Sequence, residues 1–125
     1  MPRDYLKTNL VPVLRDLGFR GSFPHFRRHR GNRNELLTIQ FDRYGKGKFV
    51  IELGVVPFGE FTTYFGKAIA PSKLTAHDLA DRIRLGAESE SGDHWFDVKA
   101  KPVDQIALLL ETKADAYYRE HLVDE

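Results

Sequence analysis

Apolar and polar side chains alternate most regularly between residues 35 and 56. Leu37, Ile39 and Phe41 fall on one side of an extended arm, with Thr38, Gln40 and Asp42 on the other. Phe49, Ile51, Leu53 and Val55 repeat that alternation, opposite Val50 and Glu52. A period of two marks a strand with one buried side. Between the arms, the turn Arg43-Tyr44-Gly45-Lys46-Gly47-Lys48 holds two glycines, which can take the positive φ that a tight reversal needs. The pattern predicts a β-hairpin of 35–42 with 49–56, around which the chain is organised.

Upstream the period lengthens. Leu6, Leu10, Val13, Leu14 and Leu17 mark one face of an amphipathic helix over 4–17, with Pro12 inside it and Gly18 as its stop. Pro12 should kink this helix or mark the start of a shorter one. Residues 19–30 read as a short irregular strand pair, bent at Ser22 and Pro24. If Phe26 points inward, Arg28 and Arg30 share its face, and Arg27 and His29 oppose it. The turn Gly31-Asn32-Arg33-Asn34 joins this strand to the hairpin, giving an antiparallel meander of three strands.

Downstream, Phe58, Phe61, Tyr64 and Phe65 crowd the 57–66 stretch. It reads as a fourth strand or as a loop, and its aromatics are expected to plug the core. Thr75 and Asp78 form a capping box opening a short helix to about Leu85, with Leu74, Leu79 and Ile83 inward. Residues 87–93 read as a mobile loop, and 94–98 as a short strand holding the single tryptophan. Pro102 opens a last helix whose stripe is Val103, Ile106, Ala107, Leu110, Ala114 and Tyr117. The charged tail from 120 to 125 is expected to fray. Helix, strands, short helix, strand, helix is an α+β order. It predicts an antiparallel sheet of three to five strands with N-terminal and C-terminal helices packed on one face.

Composition narrows the function classes. At 125 residues the chain suits one α+β domain over 1–125, burying roughly 68% of its unfolded surface. It has no cysteine, so disulfides, thiolate metal sites and thiol nucleophiles are excluded. No apolar run approaches the roughly 18 residues of a membrane span, and the first residues lack the apolar core of a secretory signal. A cytoplasmic location without membrane association is the expectation.

Charge adds a candidate surface. Net charge is +1, yet residues 1–50 hold 11 Lys/Arg against 4 Asp/Glu, and residues 51–125 hold 8 against 14. Arg20, Arg27, Arg28, Arg30 and Arg33 fall together, with no acid between Asp16 and Glu35. The cluster marks either an anionic partner or charge that the fold neutralises internally. On the polar face of the hairpin, Gln40 and Glu52 come close if pairing centres on Gly45–Lys46, and Arg28 reaches the same surface if its strand adjoins the first arm. The candidate ligand-binding residues are therefore Arg27, Arg28, Arg30, Gln40 and Glu52. His77, Asp78 and Asp81, with His94 and Asp97, match no metal motif, and no cofactor is implied. There is no serine with a neighbouring base, and no phosphate loop.

Several stretches resemble a family. Leu17-Gly18-Phe19-Arg20, Phe26-Arg27-Arg28, Ile39-Gln40-Phe41, Phe49-Val50-Ile51-Glu52-Leu53-Gly54, Asp81-Arg82-Ile83 and His94-Trp95-Phe96 are similar to bacterial proteins grouped as domain of unknown function 4304. The resemblance runs from about Leu6 to Trp95 and more loosely into the last helix. This chain departs from it at Phe96, where a second tryptophan is usual, and at Asp42, where a small polar residue is. The resemblance implies a small soluble bacterial domain, alone or beside others, and assigns no activity. The reading that asks for nothing the sequence lacks is a non-enzymatic binding module with a protein partner. The alternatives are binding of nucleic acid or another anion through residues 20–33, and a small enzyme using Glu52, Gln40 and a histidine.

Overall fold

The computed structural model describes residues 2–88 and 92–121. In order these form α1 (Pro2–Asn9), α2 (Val11–Asp16), β1 (Arg20–Ser22), β2 (His25–Arg30), β3 (Arg33–Phe41), β4 (Lys48–Pro57), β5 (Phe61–Thr62), β6 (Ala68–Ile69), a 3-10 turn (Ala76–Asp78), β7 (Ile83–Arg84), β8 (Phe96–Asp97), a second 3-10 turn (Val98–Ala100), α3 (Val103–Leu109), a wide π turn (Leu110–Ala114) and α4 (Asp115–Glu120). The architecture is α+β. β1 to β4 pair antiparallel in chain order, and β7 and β8 share the free edge of β4. β5 and β6 form a separate small ribbon.

The hairpin of β3 and β4 forms as its alternation predicts. Leu37 lies opposite Leu53, Ile39 opposite Ile51 and Phe41 opposite Phe49. These residues and Phe26 share one buried cluster with Leu6, Leu10 and Leu14 upstream and Ile106, Leu110, Ala114 and Tyr118 downstream. N- and C-terminal helices thus meet the same alternating set of sheet side chains. Each buried leucine contributes about 2 kcal/mol. The helix break between α1 and α2 falls where Pro12 cannot donate to the Thr8 carbonyl. Gly18, at φ +96°, ends the segment and turns the chain into β1.

The other sheet face carries a smaller cluster of Leu36, Ile69, Leu74, Ala76 and Leu79. Gly54 sits opposite Leu36 in the ladder. A Cβ on Gly54 would come within 2.5 Å of Leu79 Cδ1, so the covering segment approaches β4 closely because that position lacks a side chain.

The structure corrects some of these expectations. The aromatics of 57–66 do not plug the core: Tyr64 is 92% exposed, Phe65 66% and Phe58 42%, and only Phe61 packs against the smaller cluster. The two sheet faces are already filled by the helices and by the segment carrying Leu74 and Leu79. The short helix expected to Leu85 stops after one 3-10 turn, although its Thr75–Asp78 capping box is present. There the exposed edge of β4 wins over helix propensity, drawing Ile83 and Arg84 into the ladder. Tyr117 packs half-buried against the core as its stripe predicts, and Tyr118, outside that stripe, is the fully buried tyrosine of the last helix. Its buried positions, Ile106, Leu110, Ala114 and Tyr118, are four apart. A spacing of four overshoots the helical period by about 40° each time. The π turn relieves that drift and keeps all four on the sheet. The strand expected over 94–98 is shorter, Phe96–Asp97. Part of the loop expected over 87–93, and the tail beyond 121, lie outside the described residues.

Tyr118 also donates its hydroxyl to the Leu36 carbonyl at 2.6 Å, and burial with the nearby Glu35 charge raises its pKa well above the ordinary tyrosine value. Replacing Tyr118 by Phe keeps the ring and removes this bond, so urea unfolding should show a loss of about 1 kcal/mol with an unchanged m-value. A midpoint equal to wild type would mean that the helix docks by packing alone.

Candidate functional site

The arginine run resolves into two environments, because neighbouring residues of a strand point to opposite faces. Across the Gly31–Asn32 turn, Arg28 faces Glu35 and Arg30 faces Arg33 in the ladder. Glu35 is fully buried on the helix-covered face. Its Oε1 accepts from Arg28 Nε and Arg30 Nε, both at 2.7 Å. Its Oε2 accepts from Arg30 Nη2 at 3.0 Å and Arg33 Nε at 3.2 Å. Four donors fill the lone-pair sites of the carboxylate, and Arg30 binds it bidentately. Arg28 also donates to the Leu17 carbonyl at 2.9 Å and lies 4.3 Å over the Phe19 ring. Arg30 reaches Asp115 of α4 at 2.7 Å. Burial alone would raise the Asp115 pKa, but hydrogen bonds from Arg30 and Arg119 outweigh it and hold the carboxyl below its ordinary range.

Arg27 points to the outer face. Its Nε and Nη2 donate to the Leu74 carbonyl, each at 3.4 Å, which ties the covering segment to β2. On that face the ladder aligns His25 with Thr38, Thr38 with Glu52, and Glu52 with Arg84. His25 Nδ1 lies 3.0 Å from Thr38 Oγ1. Glu52 is 2% exposed. Its Oε2 takes Arg82 Nε at 2.5 Å. Among the described residues its Oε1 has no hydrogen-bond partner, and His77 Nε2 stands 3.5 Å away, an ion-pair distance without hydrogen-bond geometry. The His25 and His77 rings meet edge to face at 5.8 Å. Burial first, then the charges of His77 and Arg27, lower the His25 pKa, against a smaller opposing pull from Asp78.

The five candidate residues are therefore not brought together. Arg28 and Arg30 lie on the helix side, while Arg27, Gln40 and Glu52 lie on the outer side. The expected closeness of Gln40 and Glu52 is corrected: Thr38, not Gln40, faces Glu52, and Gln40 faces Val50. Gln40 is exposed on that side, beside an open groove that also holds Arg84 and Trp95. Sequence reasoning missed Glu35 as the arginines' partner. The signal was present, since the Gly31–Asn32 turn sets Glu35 opposite Arg28. The same reasoning placed Thr38 on the polar face without choosing it, and did not connect His25, His77 or Arg82 with that row; for His77 and Arg82 no local pattern pointed to β4. Chemically, Glu52 is a carboxylate under a guanidinium. Among the described residues, no group of three or more His, Asp or Glu could hold a metal ion. Asp78 is engaged as a cap, accepting from Thr75 N at 2.8 Å.

A family model described as Domain of unknown function (DUF4304) matches residues 10–119. The chain belongs to that family. No curated protein and no solved structure matches it. The match starts just after α1, so the DUF4304 domain includes the whole sheet, the Glu35 cluster and the outer-face row. No helix among its described residues is long and apolar enough to cross a membrane.

Two predictions follow from these pairs in the DUF4304 domain. Glu35→Ala should lose about 3–5 kcal/mol in urea unfolding, because three arginines are left without their carboxylate. A loss under about 1 kcal/mol would show that the arginines simply turn to water. His25 has a lowered folded pKa, so the unfolded chain takes up the proton first as pH falls. Its contribution is complete above its ordinary value of 6.5 and is lost as pH falls through the folded value. His25→Gln should flatten the fall in urea midpoint between about pH 7 and pH 5; an unaltered slope would assign that fall to other groups.

Proposed function

We propose that this DUF4304 domain is a non-enzymatic binding module that docks a protein partner on its 57–66 stretch. The observation that carries this reading is the outward display of Tyr64 and Phe65 on a closed tip. Thr63 N donates to the Lys67 carbonyl at 2.8 Å, Gly66 N to the Thr63 carbonyl at 2.9 Å, and Lys67 N to Thr63 Oγ1 at 3.0 Å. The two rings touch edge to face at 5.1 Å. A tip already closed by its own hydrogen bonds loses little freedom when a partner binds. Large aromatics are the side chains that supply most interface energy. Nearer β4, Phe58 stacks flat on His29 at 3.6 Å, which leaves one ring half-exposed beside the sheet.

The competing readings draw less support. Anion binding through residues 20–33 must use arginines of which Arg28, Arg30 and Arg33 already share Glu35. An enzyme using Glu52 must expose a carboxylate that is 2% accessible and paired with Arg82.

The test places a photo-crosslinking side chain at position 64 and irradiates the protein in cell extract. One discrete protein adduct, lost when Phe65 is changed to Ser, is the expected result. The Phe65→Ser change itself should shift stability by no more than about 0.5 kcal/mol, since the ring is mostly in water. No discrete adduct, or one that Phe65→Ser leaves untouched, removes the 57–66 docking reading.

A further inference from the structure

The outer face holds a second feature, at the opposite end of the hairpin from Phe58. Gln40, Arg43, Tyr44, Lys48, Arg84 and Trp95 line an open groove of about 660 Å³. That is a volume typical of small-ligand sites. Tyr44 is 75% exposed at the hairpin turn and Trp95 is 42% exposed. The Arg84 guanidinium lies 5.5 Å over the Trp95 ring and is anchored there by Asp93 at 2.6 Å. Asp42, which also lines the groove, is turned into the hairpin, where its Oδ1 accepts from Lys46 N at 3.1 Å. Among the described residues, neither Arg43 nor Lys48 has a carboxylate within ion-pair distance. Their situation is the reverse of that of Arg28, Arg30 and Arg33.

We propose that this groove binds a nucleotide unit, either as a free nucleotide or within a single strand. The base and the phosphate of such a unit each have a counterpart in the wall. The base is a flat ring, and Tyr44 and Trp95 offer flat rings to stack on. The phosphate is an anion, and Arg43 and Lys48 are exposed cations outside any ion pair among the described residues, with Asp42 in the same groove and Asp97 opposite Lys48 in the ladder as the nearest opposing charges to be outweighed. Gln40 presents an amide, which can both donate to and accept from the polar edge of a base. An acidic peptide would use the cations but would leave the two aromatic faces without a ring. This surface is distinct from the 57–66 tip, so the fate of one proposal does not decide the other.

Trp95 is the only tryptophan, which makes its fluorescence a reporter placed in the groove wall. The full chain is titrated separately with adenosine monophosphate, adenosine, inorganic phosphate, a short oligodeoxyadenylate and a short polyglutamate. The expected result is saturable quenching by the monophosphate or the oligonucleotide at or below about 1 mM. Adenosine and phosphate alone should bind at least about tenfold more weakly, because each supplies half of the contacts. Tyr44→Ala should weaken binding roughly 5- to 100-fold, as loss of a stacking face does. This residue is largely in water, and an unchanged unfolding midpoint will show that the variant is folded. Lys48→Glu should weaken binding and lower its salt dependence. Tighter, steeply salt-dependent binding of the oligonucleotide assigns the unit to a strand, and equal affinity assigns it to a free nucleotide. The proposal is overturned if no nucleotide or strand saturates. Phosphate or polyglutamate binding as well as the monophosphate, or a Tyr44→Ala affinity equal to wild type, overturns it too.

Discussion

The buried carboxylate of Glu35 is the constraint on which the rest of the structure depends. Taking a carboxylate out of water costs several kcal/mol, and only close, directed partners offset that cost. Arg28, Arg30 and Arg33 supply them while remaining 11%, 25% and 20% exposed at their side chains, so most of the desolvation falls on Glu35 alone. The same arginines carry the constraint outward. Arg28 holds the end of the N-terminal helical segment through Leu17 and lies over Phe19 and Tyr118. Arg30 holds α4 through Asp115. One carboxylate thus links β2, β3 and both helical segments.

This network acts on register more than on net stability. A slip of β3 by one residue would move Glu35 to the outer face and set Leu36 beneath the arginines. The hydrophobic alternation resists that slip, and the charge network resists it independently. The outer face is fixed in a different way. Gly54 admits Leu79, Arg27 holds the Leu74 carbonyl, and Arg82 donates to the Ala76, His77 and Leu79 carbonyls while its Nε pairs with Glu52. An irregular segment with only one 3-10 turn is therefore tied at several points, through side chains reaching backbone carbonyls that have no helix or ladder to serve.

The parts of the fold that follow from local periodicity were legible. The β3–β4 hairpin, the Pro12 break, the meander and the last helix all follow from spacing and turn chemistry. The opposed facing of Arg27 and Arg28 was legible by the same rule. What escaped was set by competition between distant segments. The helix expected after Thr75 has its capping box, but the unpaired edge of β4 takes Ile83 and Arg84 instead. Tyr118 joins Tyr117 on the core because packing on a sheet selects steps of four and a π turn accommodates them. Of the candidate site, the outward facing of Gln40 was readable from parity. The burial of Glu52 was not, because Arg82 and His77 come from a segment whose path depends on that same β4 edge.

The charge asymmetry of the sequence acquires a physical meaning in this arrangement. Three cations of the basic run, Arg28, Arg30 and Arg33, converge on Glu35, and Arg30 also reaches Asp115 from the last helix. Charge that is matched in this way is partly hidden from a partner, and a partner would have to break the match to use it. The groups left to water are of another kind: Tyr64 and Phe65 at one turn, and Tyr44, Trp95, Arg43 and Lys48 at the other end of the sheet. Exposed aromatic rings on tight turns cost the domain hydrophobic stabilisation that burial would have provided, about 25 cal/mol for each Å² left in water. Both turns are set by glycines at positive φ, Gly45 and Gly47 in one and Gly66 in the other, conformations that orient the neighbouring rings outward at little strain. Recognition surfaces on this domain are therefore to be sought at its turns, and its ionic networks are to be read as the frame that holds those turns in place.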